Sequence, residues 1–162
     1  MSAMRPAERL LLRCARERDQ LALSLRHAGV REKVEAYKRL EKALLKEASE
    51  GTETREIQRR ITEDLLVATS SAPWAVFAPY LRRIERLGYS SFDRRILVCA
   101  MAAQAARGSR AGLRKAAGLI EDLEHRAARS RRLHPSFRDE IESALARART
   151  VAGLPPKGDG SK

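Results

Sequence analysis

The chain has 162 residues, a formal net charge of +12, 43% hydrophobic and 33% charged residues, and only 4% aromatics. That length fits one compact domain with a real core, and the balance of apolar to charged residues excludes a disordered chain. Ala, Leu, Arg and Glu dominate while Val, Ile and aromatics are sparse, which excludes a sheet-rich fold and predicts helix.

Pro6 and Gly29 bracket a first helix over about residues 4 to 28, with Leu11, Cys14, Leu21, Leu25 and Ala28 recurring every three or four residues. A second helix is predicted from Arg31 to about Glu50, stopping at Gly51 and carrying the stripe Val34, Tyr37, Leu40, Leu44 and Ala48. Only a Gly-containing turn separates the two, so they should form an antiparallel hairpin. A third helix begins near Thr52, with Thr54, Ile57, Ile61, Leu65 and Ala68 as its stripe, and ends at Ser70-Ser71-Ala72-Pro73.

Residues 74 to 92 hold most of the aromatics: Trp74, Phe77, Tyr80, Tyr89 and Phe92. Pro79 falls inside this helical pattern, where it removes the hydrogen bond to Ala75, so a kink or two short helices are expected. The rings either plug the core or, at an open kink, offer Trp74, Phe77, Tyr80 and Tyr89 to a binding partner.

Ser91 reads as the N-cap of a fifth helix whose run Ile96 to Ala103 is apolar on every side, and such a helix is expected at the centre of the fold. Gly108 ends it. A sixth helix follows from about Ser109 to Arg132 on Leu113, Ala116, Ile120, Leu123 and Ala127, and Pro135-Ser136 opens a seventh through Phe137, Ile141, Leu145 and Ala148 to Gly153. Residues 154 to 162 have the composition of a disordered tail. The fold class is therefore all-α: one domain over residues 1 to 153, about seven helices, arranged as an antiparallel bundle or as a short solenoid-like array of helical hairpins. The array is suggested by a match of residues 91–108 to 136–153, in which Ser91, Phe92, Ile96, Ala103 and Gly108 align with Ser136, Phe137, Ile141, Ala148 and Gly153.

Catalytic equipment is missing from the pattern. His27, His125 and His134 sit in no nucleophile or zinc signature, and the glycines form no phosphate loop. Asp122 and His125 have the spacing by which one helix presents two metal ligands, but no second helix repeats it, so no metal, no cofactor and no enzyme activity are expected. The N-terminal apolar run Leu10 to Leu12 is too short for a signal-peptide core, the run from 96 to 106 is far below the ~20 residues that span a bilayer, and two distant cysteines suit a reducing compartment. A cytoplasmic protein is the expectation.

Positive charge concentrates after residue 90. Arg107, Arg110, Arg114, Lys115, Arg126, Arg129 and Arg132 mark a surface that can engage a polyanion. Residues 103 to 114 place a Gly in a turn before a basic helix, as helix-turn-helix readers of DNA do, although Ser109 and Arg114 depart from that pattern. The first expectation is a non-catalytic protein–protein interaction module such as an adaptor, regulator or assembly subunit. Sequence-tolerant binding of a DNA or RNA backbone is the second, and self-association through the long amphipathic helices the third.

Overall fold

The computed structural model describes residues 3–48, 51–130 and 133–157. Seven helices follow one another among them: α1 (Pro6–Ser24), α2 (Val30–Glu47), α3 (Thr52–Thr69), α4 (Trp74–Leu87), α5 (Phe92–Ala105), α6 (Arg110–Arg129) and α7 (Pro135–Ala152). No strand occurs among the described residues, and no helix is long and apolar enough to cross a membrane.

Local chemistry sets most of the helix ends. Glu8 accepts the Arg5 backbone N–H at 3.2 Å at the start of α1. Ser91 accepts the Arg94 N–H at 3.1 Å, and Ser109 the Gly112 N–H at 3.1 Å, each satisfying one of the donors that a helix start leaves free. His134 caps α7 in the same way, its Nδ1 accepting the Ser136 N–H at 3.2 Å. Gly153 closes α7 in the left-handed region at φ 75°, which only glycine adopts without cost. The helix α1 stops at Ser24, short of the expected residue 28, because residues 25–28 are needed to reverse the chain into α2.

The helices pack as two rows. The odd-numbered helices contact their successors directly, α1 with α3, α3 with α5 and α5 with α7. Each even-numbered helix lies over a pair of them: α2 over α1 and α3, α4 over α3 and α5, α6 over α5 and α7. This is the hairpin-array form of the expected all-α fold, in which each unit rests on its neighbours. The equivalence noted between residues 91–108 and 136–153 picks out α5 and α7, successive members of the odd row.

The core is correspondingly serial. One cluster joins α1 to α3 through Cys14, Tyr37, Leu44, Ile57, Ile61 and Leu65. A second joins α3 to α5 through Leu66, Phe77, Leu81, Ile84, Val98 and Ala102. A third joins α5 to α7 through Cys99, Ile120, Leu123, Ile141, Leu145 and Ala148. Tyr80 borders the first two clusters and Leu119 the last two.

Two expectations need correction. The helix α4 runs unbroken through Pro79, because Pro79 and Ala75 both lie on its exposed side, where water can take the carbonyl that proline leaves unbonded. The helix α5 is not enclosed on all sides: Leu97 is 43% exposed, and Ala100 and Gln104 share its open face. A row helix keeps one side free, and α3 is the more enclosed of the two. It even buries Thr62, Glu63 and Thr69. The threonine hydroxyls donate to the Gln58 and Leu65 carbonyls, and Glu63 accepts from Ser90 Oγ at 2.8 Å with Arg94 at 3.8 Å. Two more side chains of α3 tie it to α4. Arg55 donates to the Arg86 and Leu87 carbonyls, and Arg59 donates to the Gly88 carbonyl at 3.0 Å, placing cations at the negative end of the α4 dipole.

Leu154, the first residue of the expected tail, packs against the third cluster, and Arg149 donates to the Pro155 carbonyl at 3.0 Å. Residues 158–162 lie outside the described residues.

Candidate functional site

The aromatic segment divides into interior and edge. Phe77 is wholly buried, with the Trp74 ring centroid 5.7 Å away at an interplanar angle of 40°. Trp74 reaches from the first turn of α4 to α6, where its ring lies against Gly112. Tyr80 and Tyr89 are half-buried, and each carries a cation over its ring: Lys38 Nζ at 5.9 Å from Tyr80 and the Arg95 guanidinium at 4.8 Å from Tyr89. The four residues expected to greet a partner are thus spread over the second cluster and its rim, and Phe77 has no surface to offer.

Between α4, α5 and α6 lies a hollow of about 240 Å³ bordered by Glu85, Tyr89, Arg95, Cys99, Asp122 and Arg126. Its acids are engaged by cations: Lys115 Nζ lies 2.9 Å from Glu85 and Arg126 Nε 2.9 Å from Asp122. Asp122 thus pairs with Arg126 one turn along α6, and among the described residues no group of three or more His, Cys, Asp and Glu is placed to hold an ion. Burial, then the Glu85 carboxylate, pushes the Tyr89 phenol up to about 12, and burial, then Glu124, pushes the Cys99 thiol up to about 12. Cys14 is raised as well, chiefly by burial.

These groups are neutral when protonated, so a raised value means that the folded state keeps protons the unfolded chain releases first. Their contribution to stability is complete below the ordinary values of 9.0 for Cys99 and 10.0 for Tyr89 and is lost as the pH climbs toward 12. In the folded protein at pH 8, iodoacetamide should leave both cysteines unmodified over the time in which the urea-unfolded chain takes up two equivalents. A Tyr89→Phe variant should lose stability less steeply than wild type between about pH 10 and pH 12 in denaturant titrations. Fast labelling of the native thiols would contradict the burial of Cys14 in the first cluster and Cys99 at this hollow, and identical alkaline limbs would contradict that of Tyr89.

The even row carries a different arrangement on its outer side. Arg83 Nη2 of α4 donates to Glu41 Oε1 of α2 at 2.7 Å, and Lys38 of α2 sits on Tyr80 of α4. Lys115 of α6 crosses to Glu85 of α4. Side-chain pairs therefore bridge α2 to α4 and α4 to α6 across the even row, engaging one carboxylate oxygen each of Glu41 and Glu85, while the close backbone packing runs through the odd helices. Lys42 follows Lys38 by one turn of α2, and Arg86 follows Arg82 by one turn of α4, so each pair shares a stripe with the bridging residues. Arg82 and Arg86 border one hollow with Glu85, while Arg114 and Lys115 border the next hollow with the same carboxylate.

Among the described residues, the side chains of Lys42, Arg82, Arg86 and Arg114 are exposed and make no ion pair or hydrogen bond, as is also true of Arg39 and Lys46 on α2 and Arg110 on α6. Matched against protein families, curated proteins and solved structures, the chain resembles none. The reading of this surface accordingly rests on its own chemistry.

Of the basic residues singled out in the sequence, Arg110 and Arg114 lie on this even-row side of α6, and Arg107 is exposed at the turn before it. Lys115 is shared with Glu85, Arg126 is paired with Asp122, and Arg129 is exposed at the far end of α6. Arg132 lies outside the described residues. The helix-turn-helix comparison weakens, because the first turn of α6 is packed against Trp74 through Gly112. Sequence reasoning missed Lys42, Arg82 and Arg86. Their i, i+4 spacing was visible, but only the side-chain bridges from α4 to α2 and to α6 bring them together with Arg114.

Proposed function

We propose that this protein is a non-catalytic interaction module, an adaptor or assembly subunit that docks an acidic partner on the outer side of α2, α4 and α6. The observation that carries this reading is the set Lys42, Arg82, Arg86 and Arg114: four exposed cations on α2, α4 and α6 without ion pairs, beside Glu41 and Glu85 that pair with Arg83 and Lys115 instead. Like charges held side by side repel one another, and an anionic partner relieves that repulsion. The two-row architecture supports the reading, since an array of hairpins presents a long surface instead of a closed pocket. A cytoplasmic setting fits two free cysteines buried in separate clusters.

Heparin chromatography tests the proposal, with Lys42→Gln, Arg82→Gln, Arg86→Gln and Arg114→Gln combined in one variant. A control variant carries Arg9→Gln, Arg16→Gln, Arg26→Gln and Arg147→Gln, four exposed cations elsewhere, so both lose the same charge. The first variant should elute at clearly lower salt than wild type and the control should elute close to wild type. Equal shifts would mean that net charge alone acts and that no docking surface exists.

A further inference from the structure

We infer that the partner of this strip is the backbone of double-stranded nucleic acid, bound without regard to sequence; the inference rests on the docking surface proposed above. The three helices are bridged through long side chains, so their axes stand no closer than the about 8–10 Å of directly packed helices, and a strip crossing all three spans roughly 20 Å or more. That width reaches phosphates of both strands across a minor groove roughly 6 Å wide, more than one phosphate or a short acidic loop would occupy. Lys42 is accompanied on the strip by the arginines Arg82, Arg86 and Arg114, whose planar forks match phosphate oxygens in pairs.

The surroundings of the strip discriminate among polyanions. Proteins that hold single strands add exposed rings on which bases stack. Here Tyr80 lies under Lys38, Tyr89 lies under Arg95, and Phe77 and Trp74 serve the interior. Protein partners are anchored by aromatic or aliphatic side chains entering a dry pocket at the centre of the contact. The uncharged residues bordering these open hollows are Pro79, Ala111, Gly118 and Leu119; the first three are small or rigid, and Leu119 is half-buried against the second and third core clusters, so none stands out as such an anchor. A charge-only surface is the kind that positions a duplex through its phosphates. Base reading is a separate matter: a major groove about 12 Å wide admits one helix, and three helices abreast cannot enter it.

The test is fluorescence anisotropy with a random-sequence 24-base-pair duplex, a single strand of the same length, and heparin as competitor, across a salt series. Wild type should bind the duplex about tenfold or more tighter than the single strand, and two unrelated duplex sequences should bind alike. Each phosphate contact contributes about 0.9 to the slope of log affinity against log salt, so the Lys42/Arg82/Arg86/Arg114 glutamine variant should lower that slope by about 3 to 4, and Arg82→Gln or Arg114→Gln alone by about 1. The control variant at Arg9, Arg16, Arg26 and Arg147 should keep the wild-type slope. Circular dichroism melts of all variants confirm that the substitutions act on binding, and the single substitutions supply the result if the combined variant melts early. Failure to bind duplex at low salt, single-strand binding as tight as duplex binding, or equal losses in strip and control variants would each overturn the inference. Heparin held through the strip without any duplex binding would leave the docking surface standing and remove only the nucleic acid; absence of both would remove both.

Discussion

Replacing Phe77 by alanine is expected to destabilise the protein by about 3–5 kcal/mol, the range for deleting a buried phenylalanine from a core that cannot collapse onto the void. The ring is 0% exposed and sits where α3, α4 and α5 meet, among Leu66, Leu81, Ile84, Val98 and Met101. Domains of this size have total stabilities of about 5–15 kcal/mol, so one substitution would remove a large part of the whole, equivalent to a fall in Tm of roughly 10 °C. Val76, the preceding residue, is 40% exposed, and truncating it to alanine should change stability by no more than about 0.5 kcal/mol. The pair separates two roles for the aromatic segment. A partner-binding Phe77 would leave the melt unchanged when truncated and weaken only capture of the partner. A core Phe77 unfolds the middle of the array, on which both flanking clusters lean. A chemical-denaturation series on the two variants and wild type measures the difference, and an unchanged midpoint for Phe77→Ala would refute the packing described.

What could be read from the chain and what could not divide along a physical line. Features fixed within one turn of helix were legible: Ser91 as a cap, Gly108 and Gly153 as stops, and the stripe from Ile57 to Leu65. Each depends on neighbours within about four residues. Features fixed by which helix lies beside which were not. Pro79 reads as a break until its outward position on α4 is known, and Glu63 reads as a solvated acid until Ser90 and Arg94 are brought to it from the next hairpin. The run from Ile96 to Ala103 suggested a helix enclosed on every side, whereas Leu97 and Ala100 lie in the open because a row of helices encloses less than a bundle does. The strip on the even row is the extreme case. Its members come from three helices separated by two long returns of the chain, and no local pattern links Lys42 to Arg82 or to Arg114.

The two glycines of α6 offer a prediction whose sign turns on packing. In a helix interior alanine is favoured over glycine by about 0.5–1 kcal/mol, because glycine loses more conformational freedom on folding. Gly118 is exposed, and a Cβ there would meet nothing within 4 Å, so Gly118→Ala should stabilise the protein by about that amount. Gly112 is buried in the same helix, and its Cβ would stand 2.8 Å from Trp74 Cδ2 and 2.9 Å from the Ala106 Cα. Neither neighbour yields easily, since the indole is held against Phe77 and the Ala106 contact is backbone. Overpacking of this kind costs about 1–3 kcal/mol, enough to reverse the propensity gain, so Gly112→Ala should destabilise the protein. Adding Trp74→Leu should recover part of that loss, a coupling that appears only if the two side chains compete for one space. Denaturant midpoints for the two alanine variants should therefore move in opposite directions from wild type. If both rose together, Trp74 would not be seated on α6, and the closure between the second and third hairpins would have to be drawn differently.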